Sequence, residues 1–360
     1  MEQYRVGIIG ATGMVGQRFV LLLEKHPWFR VTCLAASSRS AGKPYREAVS
    51  GRWAFEQPLP AYVADMPVMD AAQVKDIAEL VDFIFCAVDM KKEDIRALEE
   101  AYAQAEVPVI SNNSAHRLTP DVPMIIPEIN GHHAPIIEAQ RKRLGTKSGF
   151  IAVKPNCSIQ SYVPALWPLM DFEPRQVIVC TYQAISGAGK TFATWPEMVD
   201  NVIPYIGGED EKSEQEPLKI FGQVEGGKIL LASQPVISAQ CLRVACSDGH
   251  MAAVSIAFGK KPSIDQILER WSAAKPLTDG LGLPSSPQKF LHYFDDPTRP
   301  QTRLDRDYEN GMGITLGRLR EDHVLDYKFV GLSHNTLRGA AGGGVLSAEY
   351  FCKLGYISAK

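Results

Sequence analysis

The sequence predicts an α/β protein with two domains. Short apolar runs such as Val81–Val88 and Val107–Ile110 alternate with amphipathic stretches in the first part of the chain, a pattern typical of βαβ units and a parallel sheet. Beyond Cys157 the runs alternate apolar and polar residues, as in Gln176–Ala184, which indicates a change of architecture. The length of 360 residues likewise favours two domains over one.

A glycine-spaced turn follows the first predicted strand, Arg5–Ile9. Its sequence, Gly10-Ala11-Thr12-Gly13-Met14-Val15-Gly16, leads into a stretch that is apolar on one face at helical spacing. Gly10 permits the tight turn, Gly13 lets the backbone approach a pyrophosphate, and Gly16 lets the helix pack closely on the strand. The helix N-terminus supplies amide donors to the phosphates. The sequence therefore predicts a Rossmann-type dinucleotide-binding domain rather than a merely structural turn. The candidate contacts are Gly10, Thr12, Gly13, Met14 and Val15.

The end of the second predicted strand, Val31–Ala36, indicates which dinucleotide binds. An NAD site usually has Asp or Glu at this point to bind the ribose hydroxyls. This chain has hydroxyls and cations instead, in the segment Ser37-Ser38-Arg39-Ser40-Ala41-Gly42-Lys43. Because these groups suit a 2′-phosphate, NADP is favoured over NAD, and a solvated polar loop is the alternative. The candidate contacts are Ser37, Ser38, Arg39 and Ser40.

Polar residues follow the strand Val107–Ile110, at the edge where ligands bind in open α/β sheets. The run Ser111-Asn112-Asn113-Ser114-Ala115-His116-Arg117 is rich in hydrogen-bond donors, and Arg117 could hold an oxyanion such as phosphate. A capped surface turn is the alternative interpretation. A helix is expected further along, at Ala134–Leu144.

The segment Lys154-Pro155-Asn156-Cys157-Ser158 is the centre of the predicted chemistry. A buried strand, Phe150–Val153, ends at Pro155, and a helical stretch from Ile159 to Leu169 is expected to follow. Cys157 then lies near a helix N-terminus, whose partial positive charge favours the nucleophilic thiolate. The alternative is that Cys157 is an ordinary small hydrophobic residue.

The second part of the chain contributes a candidate acid/base and several loops. His250 precedes the predicted strand Met251–Phe258 and titrates near neutral pH, although a lone histidine is more often structural. The segment Ser186-Gly187-Ala188-Gly189-Lys190 lacks the spacing of an ATP-binding loop, so a glycine-rich loop at another ligand is expected. The acidic run that begins at Glu209 is expected to be solvated. The stretch from Asn335 is expected to continue as a helix to about Leu354.

Composition excludes several classes of function. With a net charge of −3 and no basic block, nucleic acid is not an expected partner. No apolar run approaches the roughly 18 residues of a membrane span, and no signal peptide is expected because the N-terminus leads straight into a strand. The seven cysteines have no C-x-x-C spacing, and His132-His133 has no accompanying cluster of ligands. A protein of the reducing cytoplasm without a bound metal is therefore expected.

Together these features suit acyl transfer coupled to hydride transfer. A cysteine thiolate attacks an activated acyl group, and hydride from NADPH reduces the resulting thioester to an aldehyde. The set of motifs closely resembles aspartate-semialdehyde dehydrogenase, over essentially the whole chain and in the same order. The motifs are Gly-Ala-Thr-Gly-Met-Val-Gly (10–16), Ser-Asn-Asn-Ser (111–114), Pro-Asn-Cys-Ser (155–158), Gln-Ala-Ile-Ser-Gly-Ala-Gly (183–189) and Asp-Gly-His (248–250). Two others, at 37–43 and 317–320, resemble the branch found in archaea and fungi.

The resemblance implies a role for each candidate residue. It makes Cys157 the acyl-forming nucleophile, His250 the acid/base at the thiohemiacetal, and Gln183 the residue that orients the substrate. The implied substrate and phosphate ligands are Arg243 for the α-carboxylate, Glu209 for the ammonium group (Asp210 and Glu211 being rival registers), Lys212 for substrate and phosphate, and Arg117 and Asn156 for phosphate. The implied contacts on the nicotinamide side of NADP are Ser186, Gly187 and Asn335.

The resemblance also implies an architecture and a reaction. Residues 1–154 and 335–360 would form the NADP-binding domain, and residues 155–334 an α+β domain for catalysis and dimerisation, in a homodimer or homotetramer. The implied reaction reduces L-4-aspartyl phosphate to L-aspartate-4-semialdehyde and inorganic phosphate, on the route to lysine, threonine and methionine. Malonyl-CoA reductase and N-acetyl-glutamyl-phosphate reductase share this chemistry and are alternatives, as is a catalytically silent NADPH-binding protein.

Overall fold

The first of two main sheets is entirely parallel. The computed structural model describes residues 3–360. The strands of this sheet are β1 (Tyr4–Ile9), β2 (Phe29–Ala36), β3 (Val68–Asp70), β4 (Phe83–Cys86), β5 (Val109–Ser111) and β6 (Ile151–Val153). They lie side by side in the order β3-β2-β1-β4-β5-β6. The order reverses between β1 and β4, and the carboxyl ends of strands at such a switch point are where open α/β sheets bind ligands.

Helices connect these strands and cover the sheet. They are α1 (Met14–Leu23), α2 (Tyr45–Ala48), α3 (Ala61–Ala64), α4 (Val74–Leu80), α5 (Lys92–Gln104), α6 (Pro127–Asn130) and α7 (Ile137–Leu144). The helix expected from Ala134 begins three residues later, because Pro135 lies in a 3₁₀ segment, Gly131–Ile136, that precedes α7.

The second sheet is mixed. Its strands are β7 (Pro174–Gln183), β8 (Val202–Ile203), β11 (Val236–Val244), β12 (His250–Phe258), β13 (Leu291–Phe294), β14 (Ile314–Glu321) and β15 (Tyr327–Ser333), with a separate hairpin formed by β9 (Gln223–Glu225) and β10 (Lys228–Leu230). The order is β13-β14-β15-β12-β7-β11-β8. β7 and β11 are parallel, and β12 runs antiparallel to β7.

The helices of the second part are shorter than expected at two places, in Ile159–Leu169 and in the stretch from Asn335, where the helix begins only at Ala341. They are α8 (Val163–Leu166), α9 (Glu209–Ile220), α10 (Ile264–Ser272), α11 (Thr302–Asp305) and α12 (Ala341–Lys353). The single helix expected over Ile159–Leu169 is wrong: α8 is flanked by 3₁₀ turns at Ser158–Ser161 and Trp167–Phe172. Pro164 lies near the start of α8, and Pro168 lies near the start of the turn Trp167–Phe172. Because proline has no amide hydrogen to donate, these residues interrupt the helix. No helix within residues 3–360 is long and apolar enough to span a membrane.

The last helix returns to the first sheet. α12 packs against α1 and β5, and its side chains are buried along almost its whole length. The strands of the first sheet all precede residue 154, and those of the second all follow it. We therefore propose the domain division expected above, with residues 335–360 joined to residues 1–154.

A buried ion pair fixes the approach to α12. Arg338 donates from Nη2 to Glu128 Oε1 and to the carbonyl oxygen of Met312, and its Cζ lies 5.1 Å from the centre of the Phe290 ring. The side chains of Arg338 and Glu128 are 1% and 0% exposed. Neither charge can be hydrated, so each depends on the other.

We expect Arg338→Met to lower the free energy of unfolding by about 3–5 kcal/mol, because it leaves Glu128 as an uncompensated buried charge. Urea unfolding measures the loss. The matched control is Arg46→Met, since Arg46 and its partner Asp65 are 54% and 79% exposed; its expected cost is below about 1 kcal/mol. Equal losses in the two variants would contradict the importance given to the buried pair.

Candidate active site

Three strands of the second sheet bring predicted site residues to one edge. Gln183 ends β7, and Arg243 lies directly opposite it on β11. His250 begins β12, which runs the other way and so starts at this same edge. Gln183, Arg243 and His250 are 1%, 6% and 0% exposed. Residues distant in sequence thus become neighbours because parallel strands end where an antiparallel strand begins.

The backbone of Ala184 holds two of these side chains. Arg243 Nη1 donates to the Ala184 carbonyl at 2.7 Å, and the Ala184 amide donates to His250 Nδ1 at 3.0 Å. Gly187, in the next turn, packs against both: a Cβ built on it would lie 2.7 Å from Arg243 Nη1 and 3.1 Å from His250 Nε2. Only glycine leaves these two side chains in place.

The bond from Ala184 also determines the state of His250. Because Nδ1 accepts a hydrogen bond, the neutral ring carries its proton on Nε2, and Nε2 is buried without a partner among the described residues. Burial, with repulsion by Arg243, lowers the pKa of His250 from its ordinary 6.5 to about 3. His250 is therefore a neutral imidazole that presents an N–H group.

Cys157 lies in the turn that links β6 to the second sheet. It is partly exposed and forms the N-cap of the 3₁₀ turn at Ser158–Ser161. Desolvation by the surrounding protein, reinforced by Glu209, raises the pKa of the Cys157 thiol, although Lys154, Arg117 and Arg243 oppose this. The helix that was expected to favour the thiolate is wrong, since a single 3₁₀ turn takes its place, and burial outweighs the nearby positive charges.

One face of α9 is buried, which contradicts the expectation of a solvated charge run. Glu209 is 8% exposed. It accepts hydrogen bonds from Lys212 Nζ at 2.7 Å, Asn156 Nδ2 at 2.9 Å and Gln183 Nε2 at 3.2 Å. Burial alone would raise the pKa of Glu209, but these donors, led by the charge of Lys212, hold it below its ordinary value.

The two other acidic residues considered for this role, Asp210 and Glu211, have different surroundings. Asp210 Oδ1 accepts from the Cys241 amide at 2.8 Å, and Glu211 is exposed. Glu209 is the acidic residue of this run that contacts Asn156 and Gln183, as the register implied by the family resemblance requires.

Glu216 is a site residue that the sequence did not indicate. It lies two helical turns beyond Glu209 on the same face of α9, and that spacing was the available signal. Its carboxylate accepts hydrogen bonds from the backbone amide of Asn156 at 2.5 Å and from Arg117 Nη1 at 2.9 Å. Arg117 also donates to the carbonyls of Lys154 and Asn112. Glu216 thereby connects the nucleophile turn with the segment after β5.

A cleft at the carboxyl ends of the first sheet fits a dinucleotide. Its volume is about 770 Å³, and its lining includes Gly10, Thr12, Gly13 and Ser37–Ser40. Gly10 has φ +90° and a Cβ there would collide with the Ala87 carbonyl, so the turn requires glycine. No side chain caps the N-terminus of α1, which leaves its first amides free for phosphate oxygens.

The cofactor contacts expected at the start of α1 differ in what they offer. Val15 packs against the core of the first domain, so its backbone alone could meet a ligand. Met14 faces a second cleft of about 750 Å³ that also borders Ser186 and His334. Asn335 joins this region, because its Nδ2 donates to Ser186 Oγ at 2.8 Å and its Oδ1 accepts from the Gly249 amide at 2.8 Å. The two clefts lie on either side of the first turn of α1.

Of the paired histidines, His132 is exposed and His133 has structural contacts. His133 is fully buried, and its Nε2 lies 2.9 Å from the Gly222 carbonyl oxygen. Over the described part of the chain, no group of three or more His, Cys, Asp or Glu side chains is arranged to hold a metal ion.

Family models and known relatives match nearly the whole chain. The model described as semialdehyde dehydrogenase, NAD binding domain, matches residues 5–136, and the one described as semialdehyde dehydrogenase, dimerisation domain, matches residues 166–338. Aspartate-semialdehyde dehydrogenase of Archaeoglobus fulgidus is 43% identical over 353 residues, covering 98% of both chains. That of Schizosaccharomyces pombe is 41% identical over 359 residues, again covering 98% of both. The chain belongs to the aspartate-semialdehyde dehydrogenase family.

Solved structures agree with this assignment. The crystal structure of aspartate-semialdehyde dehydrogenase with NADP from Candida albicans has a TM-score of 0.89 and 37% identity, covering 99% of this chain and 100% of that one. A more distant Vibrio cholerae structure, at 24% identity and a TM-score of 0.72, shows the shared fold. The expected family, its α/β dinucleotide-binding domain and its dimerisation domain are confirmed, and these relatives do not support the alternatives.

The low pKa of His250 predicts a pH dependence of stability. Below pH 6.5 the unfolded chain binds a proton that the buried ring refuses, so the free energy of unfolding should fall as the pH drops from 6.5 toward about 3. Urea unfolding at a series of pH values should show a shallower fall for His250→Asn than for the wild type. His323→Asn, which changes an exposed histidine, is the control. Identical slopes for wild type and His250→Asn would contradict the buried neutral ring.

Proposed function

We propose that this chain catalyses the NADPH-dependent reduction of L-4-aspartyl phosphate to L-aspartate-4-semialdehyde and inorganic phosphate. The observation that carries the proposal is that two buried side chains of opposite charge, Arg243 and Glu209, both act on Cys157. Arg243 offers a guanidinium and Glu209 a carboxylate. Family membership supports the same reaction.

The two charges suit the α-carboxylate and α-ammonium groups of an amino acid. Arg243 uses Nη1 for Ala184, which leaves further N–H donors for a bidentate carboxylate contact. Glu209 would exchange protein donors for the substrate ammonium. Malonyl-CoA and N-acetyl-glutamyl phosphate have no free ammonium group, so neither would offer this buried carboxylate a cationic partner.

Cys157 is the proposed nucleophile and His250 its proposed partner in proton handling. The sulfur attacks the acyl carbon and phosphate leaves, which forms a thioester. The neutral His250 ring is suited to donate its Nε2–H toward the acyl oxygen as negative charge develops there. Gln183, held by Glu209 and Thr181, would orient the substrate.

Phosphate binding is proposed for Lys212, Arg117 and Asn156. Lys212 is the most accessible, with a side chain 30% exposed. Arg117 is paired with Glu216. The side-chain amide of Asn156 donates to Glu209 from Nδ2 and accepts from Ser158 Oγ at Oδ1. A phosphate must therefore use the remaining N–H donors of Arg117 or displace a bond of Asn156.

The proposed cofactor is NADP, which when bound supplies the hydride. Gly10, Thr12, Gly13, Met14 and Val15 would hold its pyrophosphate. Ser37, Ser38, Arg39 and Ser40 would meet the 2′-phosphate, and they line the first cleft. Ser186, Gly187 and Asn335 would border the nicotinamide. A cytoplasmic location is proposed because all seven cysteines are free, as in a reducing compartment.

The assay that tests the function is phosphate-dependent reduction of NADP by L-aspartate-4-semialdehyde. We expect activity in the wild type and none in Cys157→Ala, which should still bind NADPH because Cys157 lies outside both clefts. Cys246→Ala is the matched control, since Cys246 is another partly exposed cysteine. A folded, NADPH-binding wild type with no activity would contradict the substrate assignment, and an active Cys157→Ala would contradict the nucleophile.

We further propose a homodimer formed through the outer face of the second sheet. Ile178 and Tyr182 on β7 and Val236 on β11 are 51%, 38% and 61% exposed. Leu242 and Met251 lie on the same face, next to Tyr182 in register. Such a patch marks an interaction surface, and the matching family model is described as a dimerisation domain.

Tyr182→Glu should convert the dimer to a monomer in sedimentation velocity, because it places charge within an apolar interface. Val324→Glu is the control, since Val324 is 82% exposed in the loop between β14 and β15. A Tyr182→Glu protein that sediments like the wild type would exclude this face as the interface.

A further inference from the structure

Lys154, at the end of β6, is a buried lysine without a carboxylate partner. It is 3% exposed, and its Nζ donates to the Pro155 carbonyl at 2.8 Å. Within residues 3–360 it forms no ion pair with a carboxylate. Buried lysines are rare unless they are paired, because an ammonium group loses its hydration on burial. An anion that matches this charge is therefore expected nearby.

The position of the Lys154 ammonium is fixed by packing. Its backbone amide donates to the Ser111 carbonyl at 2.8 Å, and its carbonyl accepts from Arg117 Nε at 3.0 Å. The side chain lies against the start of α12, where a Cβ on Gly343 would be 3.0 Å from Lys154 Cε. The bond to Pro155 keeps the ammonium within the turn that carries Cys157.

Two of the other cations around Cys157 have carboxylate partners. Arg117 is bound to Glu216 at 2.9 Å, and Lys212 to Glu209 at 2.7 Å. Arg243 is the residue proposed for the substrate carboxylate. Among the described residues, Arg243 and Lys154 are thus the two cations near Cys157 that no carboxylate pairs with. Once a substrate carboxylate occupies Arg243, Lys154 remains as the cation for the thiolate.

We propose that Lys154 is a positioning residue whose ammonium group is the counter-ion of the Cys157 thiolate. The S–H bond of Cys157 breaks with its electron pair on sulfur, and the neutral Lys154 amine takes the proton. The total charge of the turn is the same before and after, so ionisation adds no net charge to a buried site. The proposal rests on the proposed function only in taking Cys157 as the nucleophile.

Lys154 and Cys157 each favour the charged form of the other, although burial raises the pKa of the Cys157 thiol above its ordinary value. Burial lowers the pKa of Lys154 to about 7, while the nearby Cys157 raises it. The charged groups that act on the pair from neighbouring elements are Arg117, Glu209, Glu216, Arg243 and Arg338. A lysine with a pKa near neutrality can accept a proton from a thiol, whereas His250 already has its Nδ1 occupied by the Ala184 amide.

The test is a titration of the Cys157 thiolate in Lys154→Met. Ultraviolet absorbance of the thiolate is followed against pH, with Cys157→Ser as the blank, so no turnover is required. We expect the ionisation to move to higher pH and alkylation by iodoacetamide at neutral pH to slow roughly tenfold, with the two enzymes converging in alkali. Lys154→Arg, which keeps a positive charge but cannot accept a proton, should hold the ionisation at a lower pH than Lys154→Met does.

Lys219→Met is the matched control. Lys219 is also buried, and burial also lowers its pKa to about 7, but its ammonium donates to three carbonyls, those of Arg117, Thr119 and Val122. Its removal should leave the thiolate titration unchanged. A shift of equal size in Lys219→Met would overturn the proposal, because any buried lysine would then suffice.

Further outcomes of these experiments also bear on the proposal. A titration identical in wild type and Lys154→Met would overturn the proposal. So would an unchanged titration with weaker binding of inorganic phosphate, because the ammonium would then serve the phosphate. If Lys154→Met does not fold, Lys154→Gln against Lys154→Arg gives the same comparison of neutral with charged. Retained activity in Cys157→Ala would refute the proposed function and leave this titration interpretable.

Discussion

Two buried carboxylates on one face of α9 hold the site together. Glu209 connects Asn156, Gln183 and Lys212, while Glu216 connects the Asn156 amide with Arg117. A buried carboxylate must have donors for its lone pairs, and here the donors come from four separate parts of the chain. The requirement to satisfy these two charges therefore fixes where the nucleophile turn, the end of β7 and the segment after β5 lie relative to α9.

The same helix carries a proline that the tertiary structure accommodates. Pro217 has no amide hydrogen, so it cannot bond the carbonyl four residues earlier, that of Ser213. Tyr162 Oη donates to this carbonyl at 2.7 Å and replaces the missing donor. Tyr162 follows the turn after Cys157, so the repair of α9 adds another contact between the helix and the nucleophile segment.

The charges around Cys157 would change when an amino-acid substrate binds. Burial and Glu209 raise the pKa of Cys157, and burial holds His250 neutral. An amino-acid substrate would pair its ammonium with Glu209 and its carboxylate with Arg243, which removes one influence on the thiol of each sign. Lys154 would then be the cation that remains for the thiolate. The response of the thiol to substrate would therefore depend on Lys154.

Three features were evident from the sequence, because each depends on local backbone geometry or on residue chemistry. They are the glycine turn after β1, the segment of hydroxyls and arginine after β2, and Cys157 in its turn. The family could also be inferred, since the order of short motifs survives in the linear chain. Other features were decided by tertiary structure: the pairing that places Gln183, Arg243 and His250 on one edge, the burial of Glu209 and Glu216, and the neutral state of His250. Sequence periodicity could not show these, because burial and hydrogen-bond partners depend on which distant segments meet. What the sequence determined by itself was the set of reactive groups and their local turns. What only the tertiary structure decided was their charge states and their partners, since both follow from desolvation in a shared interior.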